Sequence, residues 1–461
     1  MSTVIRDFGG APRVVAAPIS RQFWLGLCGF VLCVYGTIHV AGLVTRNDRF
    51  LRDFVQEWTS ARNWKIGRPV YQDLRQAIPF HLPRARPGDL RFNAHPPAAV
   101  VLALPFGNLS YHHALKTWNL LSLACVVIAT GWMTGRCGFD LAFGERLLVT
   151  GIVLSSSVLE TQLLQGQLNG VLFLLIIAAW CCARNDRVVG AGVFVGLAAS
   201  LKLFPGLLIL YFLFRRQWKG SLAVVASWLV ANVAAAGILG LDAVQDYLLV
   251  VMPDVNRFCD TWPNASLLGF LSRLFDGRFG QVTPVLHWPL LAQALWLMLS
   301  LLLIGLAARA TFHGCQTDLA FSAWVSLMLL LSPVAWDHYF LMSVLPLTAL
   351  WHSRGLYPQQ RSLFLFVAVT LLVVISPYQV WHFLVPGYTK YGMLAAVAQP
   401  AALLTGVSFQ FYVSLAVFGL CLQSGGARIP GLHGHVVSHS YLAVETQQPL
   451  RGPHRRKNLV A

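Results

Sequence analysis

Charge is what this chain has least of. Asp, Glu, Lys and Arg make up 11% of its 461 residues, against roughly 25% in a soluble domain, and mean hydropathy is +0.61. That excludes a soluble globular enzyme and leaves a polytopic membrane protein. Carboxylates are scarcer than bases, 18 against 34, and none are gathered at metal-ligand spacing, so we expect no metal and no cofactor. Cysteine is uninformative, since most of the nine, among them Cys28, Cys33, Cys125, Cys181, Cys182 and Cys421, lie in apolar runs as small hydrophobes. No A-x-A-like cleavage site follows the first apolar run, Phe23 to Val44. That run of about 20 residues suits one ~30 Å crossing and exceeds a secretory h-region, which predicts a retained anchor. An aromatic-basic nucleic-acid module is missing too, so the net charge of +16 points to anionic headgroups or a phosphorylated lipid.

What is abundant is apolar sequence. Runs near 23–44, 114–133, 146–163, 168–183, 220–240, 288–308, 319–334, 339–351, 362–376 and 405–422 read as helices. Residues 97–107 would rise only ~16 Å as a helix, and 188–201 with 206–214 form two brief pieces broken around Pro205. Such pieces suit half-membrane helices that line a cavity, because irregular backbone at membrane depth needs protein or water around it. The expected fold is all-α, a polytopic transmembrane bundle of about 10–12 helices. Its expected parts are a cytoplasmic N-terminal tail (1–21), a transmembrane domain (22–422) with outer loops 45–96 and 241–287, and a disordered basic cytoplasmic tail (423–461). The tail histidines His433, His435, His439 and His454 lack ligand spacing.

The positive-inside rule places Arg184–Arg187, Arg215–Lys219 and Arg455–Lys457 in the cytoplasm, and hence 241–287, 335–338 and 377–404 outside. If 97–107 does not cross, the 45–96 loop and the Gln165–Asn169 segment join them, and the polar clusters share one face. Ten Lys or Arg in the 45–96 loop pull the other way by the same rule. Holding a lipid-linked phosphate would reconcile them.

Polar side chains inside such a chain are the functional candidates. Arg52-Asp53-Phe54-Val55-Gln56-Glu57-Trp58, read as a surface helix, sets Asp53 and Glu57 on one face at i,i+4. They are either a general base toward a hydroxyl or solvated surface charge. His95, before Pro96-Pro97, is either a ligand contact or a fixture of an extended turn. Gln165, Gln167 and Asn169 around Gly166 are an inter-helix turn or a hydroxyl-recognition cluster. Lys202, in Leu201-Lys202-Leu203-Phe204-Pro205, either snorkels to an interface or binds a phosphate. Asp337 and His338, in Ser332-Pro333-Val334-Ala335-Trp336-Asp337-His338, form a turn or orient each other and a substrate.

Taken in order, these segments resemble glycosyltransferase family 87, integral-membrane enzymes of the GT-C fold that use polyprenyl-phosphate sugars, typically mannose. The resemblance spans residues 45–350. It rests on Asp53-Phe54 with Gly67-Arg68-Pro69-Val70-Tyr71, His95-Pro96-Pro97, Gly166-Gln167-Leu168-Asn169, Gly196 to Pro205, Asn264-Ala265-Ser266-Leu267 and Ser332 to His338. His95 stands where the family usually has an aromatic. The resemblance implies a plasma-membrane glycosyltransferase with its site on the extracytoplasmic face and interfacial helices in the first outer loop. It implies inverting transfer from a polyprenyl-phosphate donor to a lipid or glycan hydroxyl, with Asp53 as base and His338 near the donor phosphate. Arg52 and Lys202 are our physical inference for phosphate contacts, with Glu57, His95, Gln165, Gln167, Asn169, Asn264 and Asp337 lining the substrate. The competing reading is a secondary transporter or lipid flippase, for which an inverted repeat would speak; a broken hairpin is visible only in the first half.

Overall fold

The computed structural model describes residues 3–5, 13–15, 21–45, 51–85, 91–278, 282–353, 360–384 and 399–426. The expected tail from 427 on, with its histidines, lies outside the described residues. Apart from a short antiparallel ribbon, Thr3–Ile5 against Arg13–Val15, every regular element among the described residues is helical, an all-α polytopic bundle. The helices α1 (Arg21–Thr45), α5 (Tyr111–Thr134), α11 (Trp218–Leu239) and α15 (Pro289–Phe312), with Pro400–Gln423, are each long and apolar enough to cross a membrane. Phe30 and Ile38 on α1, Leu222 and Val230 on α11, and Leu290 and Leu301 on α15 are exposed. Apolar surface of that extent is at ease only against hydrocarbon.

Shorter helices fill the interior. The 146–163 run, expected as one helix, is two, α6 (Phe143–Leu154) and α7 (Ser157–Gln165), bent by 45°. Hydroxyls cause the break: Ser155 Oγ donates to Gly151 O at 2.7 Å, and Ser156 Oγ accepts from Leu159 N at 3.2 Å, capping α7. Side chains that satisfy the backbone locally give it an alternative to continuing the helix. Then α8 (Asn169–Arg184) runs away from the α7 end and α9 (Val188–Leu201) returns. Fourteen residues put Lys202 ~20 Å along the axis from the Arg184–Arg187 turn. As the sequence predicts, the chain breaks at Lys202 and resumes as a 3-10 turn, Phe204–Leu208, and α10 (Ile209–Phe214). Pro205 has no N–H to continue the ladder.

Between α1 and α5 the chain folds over one end of the bundle as α2 (Val55–Lys65), α3 (Leu74–His81), α4 (Pro97–Ala103) and a 3-10 turn, Leu104–Asn108. Trp64 Nε1, on α2, donates to Ile238 O at the end of α11, 3.0 Å away. At the other end Arg184 pairs with Asp318, and Arg215 donates to Tyr211 Oη and Thr317 Oγ1, both at 3.2 Å. The first of these tie α8 to α16 (Thr317–Leu331).

The α1–α6 crossing depends on missing side chains. A Cβ on Gly29 would stand 2.4 Å from Leu148 N, and one on Gly36 would stand 2.6 Å from the Leu154 carbonyl carbon. Close approach through small residues is how apolar helices gain packing where lipid offers no hydrophobic drive. Gly36→Val should therefore cost about 1–3 kcal/mol, seen as a lower melting temperature in detergent. Gly42→Val, where a Cβ meets nothing within 4 Å, should stay within about 0.5 kcal/mol.

Candidate active site

The first loop meets the bundle at a double turn. Asp53 is not on a helix: Gln56 N donates to Asp53 O at 3.0 Å and α2 starts at Val55. The i,i+4 helical face expected for Asp53 and Glu57 is thus corrected, because Phe54 is drawn inward before the helix begins. Phe54 is fully buried and stacks on Trp118 with centroids 5.0 Å apart. Its N–H donates to Gln165 O at 3.0 Å. Arg52 N donates to Tyr111 Oη at 2.9 Å. Gly166, the residue after α7, has φ +64°, and a Cβ there would come 2.7 Å from Phe54 Cβ. Only glycine meets both demands cheaply. Trp118 Nε1 donates to Gly166 O at 2.8 Å, which fixes the second turn under the first.

From this double turn the side chains of three distant segments converge. Gln167 Nε2 donates to Asp53 Oδ2 at 2.7 Å, and Gln167 Oε1 accepts from Lys202 Nζ at 3.0 Å. Lys202 Nζ also donates to Asn169 Oδ1 at 3.3 Å and Tyr339 Oη at 3.4 Å, and sits 4.5 Å from the Tyr339 ring centroid. The Lys202 residue is 5% exposed. Three oxygens around an ammonium are what burying that charge requires. Asp53 lies within electrostatic reach of Lys202, His338 and Tyr339.

Two carboxylate–imidazole pairs flank this centre. Glu57, on α2, pairs through its Oε1 with His95 Nδ1. Tyr71 Oη donates to His95 O at 2.8 Å, and burial together with Tyr247 and Glu57 holds its pKa well above the ordinary phenol range, so it stays a donor. Asp337 Oδ1 accepts from His338 N at 2.8 Å and faces His338 Nδ1 at 3.2 Å, while Thr161 Oγ1 donates to Asp337 Oδ2 at 3.1 Å. His338 Nε2 and Asn169 Nδ2 are buried with no partner among the described residues.

Asn264 and Gln165 stand apart. The Asn264 amide is fully engaged: Nδ2 donates to Cys259 O and Pro333 O, both at 3.0 Å, and Oδ1 accepts from Ser266 N at 3.1 Å and Ala335 N at 2.9 Å. It clamps the 259–266 loop to the strand-like segment before Asp337. Gln165 contributes its backbone oxygen to Phe54 rather than an assigned side-chain bond.

Part of the site, Gln167, Asn169 and Lys202, lies within the stretch of the chain that resembles known proteins. A family model described as glycosyltransferase family 87 matches residues 93–333, just over half of the chain. The chain belongs to glycosyltransferase family 87. A polyprenol-phosphate-mannose-dependent alpha-(1-2)-phosphatidylinositol mannoside mannosyltransferase of Mycolicibacterium smegmatis is 28% identical over 317 residues, covering 64% of this chain and 68% of the relative. Its Mycobacterium tuberculosis counterpart is 28% identical over 301 residues, 61% of this chain and 65% of the relative. An alpha-(1->3)-arabinofuranosyltransferase of Corynebacterium glutamicum is 24% identical over 355 residues, 76% of each chain. The family and the apolar helices together make this a multi-pass membrane glycosyltransferase.

In this family 87 member the sequence reading gave no site role to Tyr339, Thr161 or Tyr71. Tyr339 had a signal, standing next to His338; Thr161 had none, since its partner is 176 positions away. Removing the Asn264 clamp would leave Ser266 N and Ala335 N without their acceptor and take a donor from Cys259 O and Pro333 O, the latter keeping the Ser266 hydroxyl. Asn264→Ala should therefore cost about 2–4 kcal/mol. The measurement is the melting temperature of the purified protein beside Asn264→Asp, whose second carboxylate oxygen would face the Cys259 and Pro333 carbonyls and which should therefore be no more stable than Asn264→Ala.

Proposed function

We propose that this chain transfers a hexose, mannose, from a polyprenyl-phosphate donor to a hydroxyl of a lipid or glycan acceptor, with inversion and without a metal ion. The supporting observation is the Asp53–Gln167–Lys202 arrangement: a carboxylate tied by one oxygen, through one amide, to a buried ammonium. Asp53 Oδ1 has no assigned partner among the described residues and is the proton acceptor in this reading. The acceptor oxygen attacks C1 of the sugar, the C1–O bond to the phosphate breaks, Asp53 takes the hydroxyl proton, and the lipid phosphate leaves with the bonding electrons. Arg52, Lys202 and the free Nδ2 of Asn169 supply positive charge or donors where the leaving oxygen develops its negative charge, and His338, with its Nδ1–H on Asp337, joins them through Nε2 only as the imidazolium. Asp337 and Thr161 hold the His338 ring.

The donor class is supported by the activities of the relatives, which include both mannose and arabinofuranose transfer. An extracytoplasmic site in the cell membrane is part of this reading, supported by the same charge bias as before, with Arg184–Arg187 and Arg215–Lys219 at the far end.

The test is transfer of labelled mannose from polyprenyl-phosphate-mannose to membrane lipid and glycan acceptors by purified protein. Asp53→Asn should lower turnover by about 10²–10⁴-fold, and Lys202→Met by about 10²-fold, with both variants still eluting as folded protein. A chelator should leave the wild-type rate within experimental scatter. Transfer from a pentofuranosyl donor and none from mannose would overturn the sugar assignment; full activity in Asp53→Asn would overturn the base.

A further inference from the structure

The two carboxylate–imidazole pairs differ in what holds the acid. Asp337 accepts from the Thr161 hydroxyl as well as facing the His338 ring. Glu57 has no second donor: among the described residues the His95 ring is its one hydrogen-bond partner, and its side chain is 2% exposed. A buried carboxylate with a single donor is costly unless a cation lies close. Lys202 is that cation, and of the two acids whose fields reach it Glu57 comes first and Asp53 second. One ammonium therefore answers two carboxylates.

His95 cannot turn away from Glu57. Its N–H donates to Asn93 Oδ1 at 3.1 Å, its carbonyl accepts from Tyr71 Oη, and Ala94 N donates to Gln56 Oε1 at 3.1 Å. With Nδ1 on the carboxylate, Nε2 is the atom that gains or loses a proton. His338 Nε2 is fully buried, whereas the His95 side chain keeps 10% of its surface, enough for a proton to arrive from water. The titratable groups around His95 are Glu57 from α2 and Tyr71 from the segment after it. Lys202 and Asp53 lie beyond Glu57, and Tyr247 and Asp246 of the second loop lie behind Tyr71.

The charges of the centre conflict with its task. Asp53, Glu57 and Asp337 stand against Lys202 and, at the edge, Arg52, so with both imidazoles neutral the centre is net negative where a phosphate must sit. A phosphate drawn to Lys202 would also take from Glu57 the cation that makes its burial tolerable. We propose that His95 takes up a proton when the donor phosphate binds, pairs with Glu57 as the imidazolium, and so leaves the Lys202 charge to the phosphate. His95 is then a positioning residue that acts through Glu57 and Lys202. The inference rests on the donor-phosphate half of the proposed function and on none of its transfer chemistry.

The test is calorimetric titration of the full chain in nanodiscs with geranyl methyl phosphate, corrected for empty discs. This phosphodiester keeps one charge throughout, so the ligand itself does not titrate. Two buffers of different ionisation heat, between about pH 5 and pH 8, count the protons exchanged. Binding should consume about one proton and weaken by up to about tenfold per pH unit as the pH rises. His95→Gln should abolish the uptake and weaken binding by about tenfold or more, because the Glu57 charge is left unpaired. Glu57→Gln should abolish the uptake too, and Glu57→Gln/His95→Gln should bind more tightly than His95→Gln alone, a rescue that a merely structural role would not give. Uptake that persists in His95→Gln, or a double variant no tighter than that single one, would overturn the role. No binding by the wild type at any pH would overturn the donor reading together with it. Binding with uptake but without mannose transfer would uphold it and fault the transfer chemistry alone.

Discussion

A single amide, Gln167, stands between a carboxylate and an ammonium, and the arrangement of the site depends on it. Its NH₂ group can serve only Asp53 and its oxygen only Lys202, so its orientation is dictated by both charges. Direct contact would neutralise the pair into an ordinary ion bridge. With the amide interposed, each charge is held without being cancelled: Asp53 keeps a second oxygen, and Lys202 keeps its full charge among three neutral oxygens and the Tyr339 ring. Burying an ammonium without such partners costs several kcal/mol, so the three oxygens around Lys202 are a condition of the fold and not an addition to it.

That condition explains the surrounding construction. Gln167 must sit where α7 ends, which fixes the left-handed Gly166; Gly166 must touch Phe54, which keeps Asp53 off the helix; Phe54 must stack on Trp118, whose indole then holds Gly166 O. The clamp by Asn264 does for the Asp337–His338 side what Trp118 does for the Asp53 side. Both supports are long-range, across 71 positions for the Asn264–Ala335 bond and 48 for Trp118–Gly166, so the reacting groups are carried on loops but set by the bundle.

How much of this was legible in the sequence follows the range of each interaction. Amides and a lysine in apolar sequence announce themselves, because their cost in hydrocarbon is a property of the residue; hence Gln167, Asn169 and Lys202. The break at Lys202 was readable from Pro205, a local rule. What failed was local inference applied to groups held from afar. Asp53 looked helical by spacing, yet its neighbour Phe54 obeys Trp118 and Gly166. The 146–163 run looked continuous because serine hydroxyls bend a helix only when they turn back on the backbone, which composition does not reveal. Thr161 belongs to that run and gave no sign of Asp337.

The same distinction between residue and setting bears on the charge pattern of the first loop. Counted as free topogenic charges, its bases argue against placing the loop beside the 335–338 segment. The geometry removes several from that count. Arg75 is tied to Asp73, Arg91 to Asp254, Lys65 to Asn108, and Arg62 and Arg68 lie on aromatic faces. Asp53 bonds to Gln167, so the first loop and the α7–α8 turn share one end of the bundle whatever the count. The positive-inside rule reports what a chain does while it inserts, when charges face lipid and potential. A loop whose cations end in ion pairs or on rings has a folded-state reason to be basic, and that reason is independent of topology.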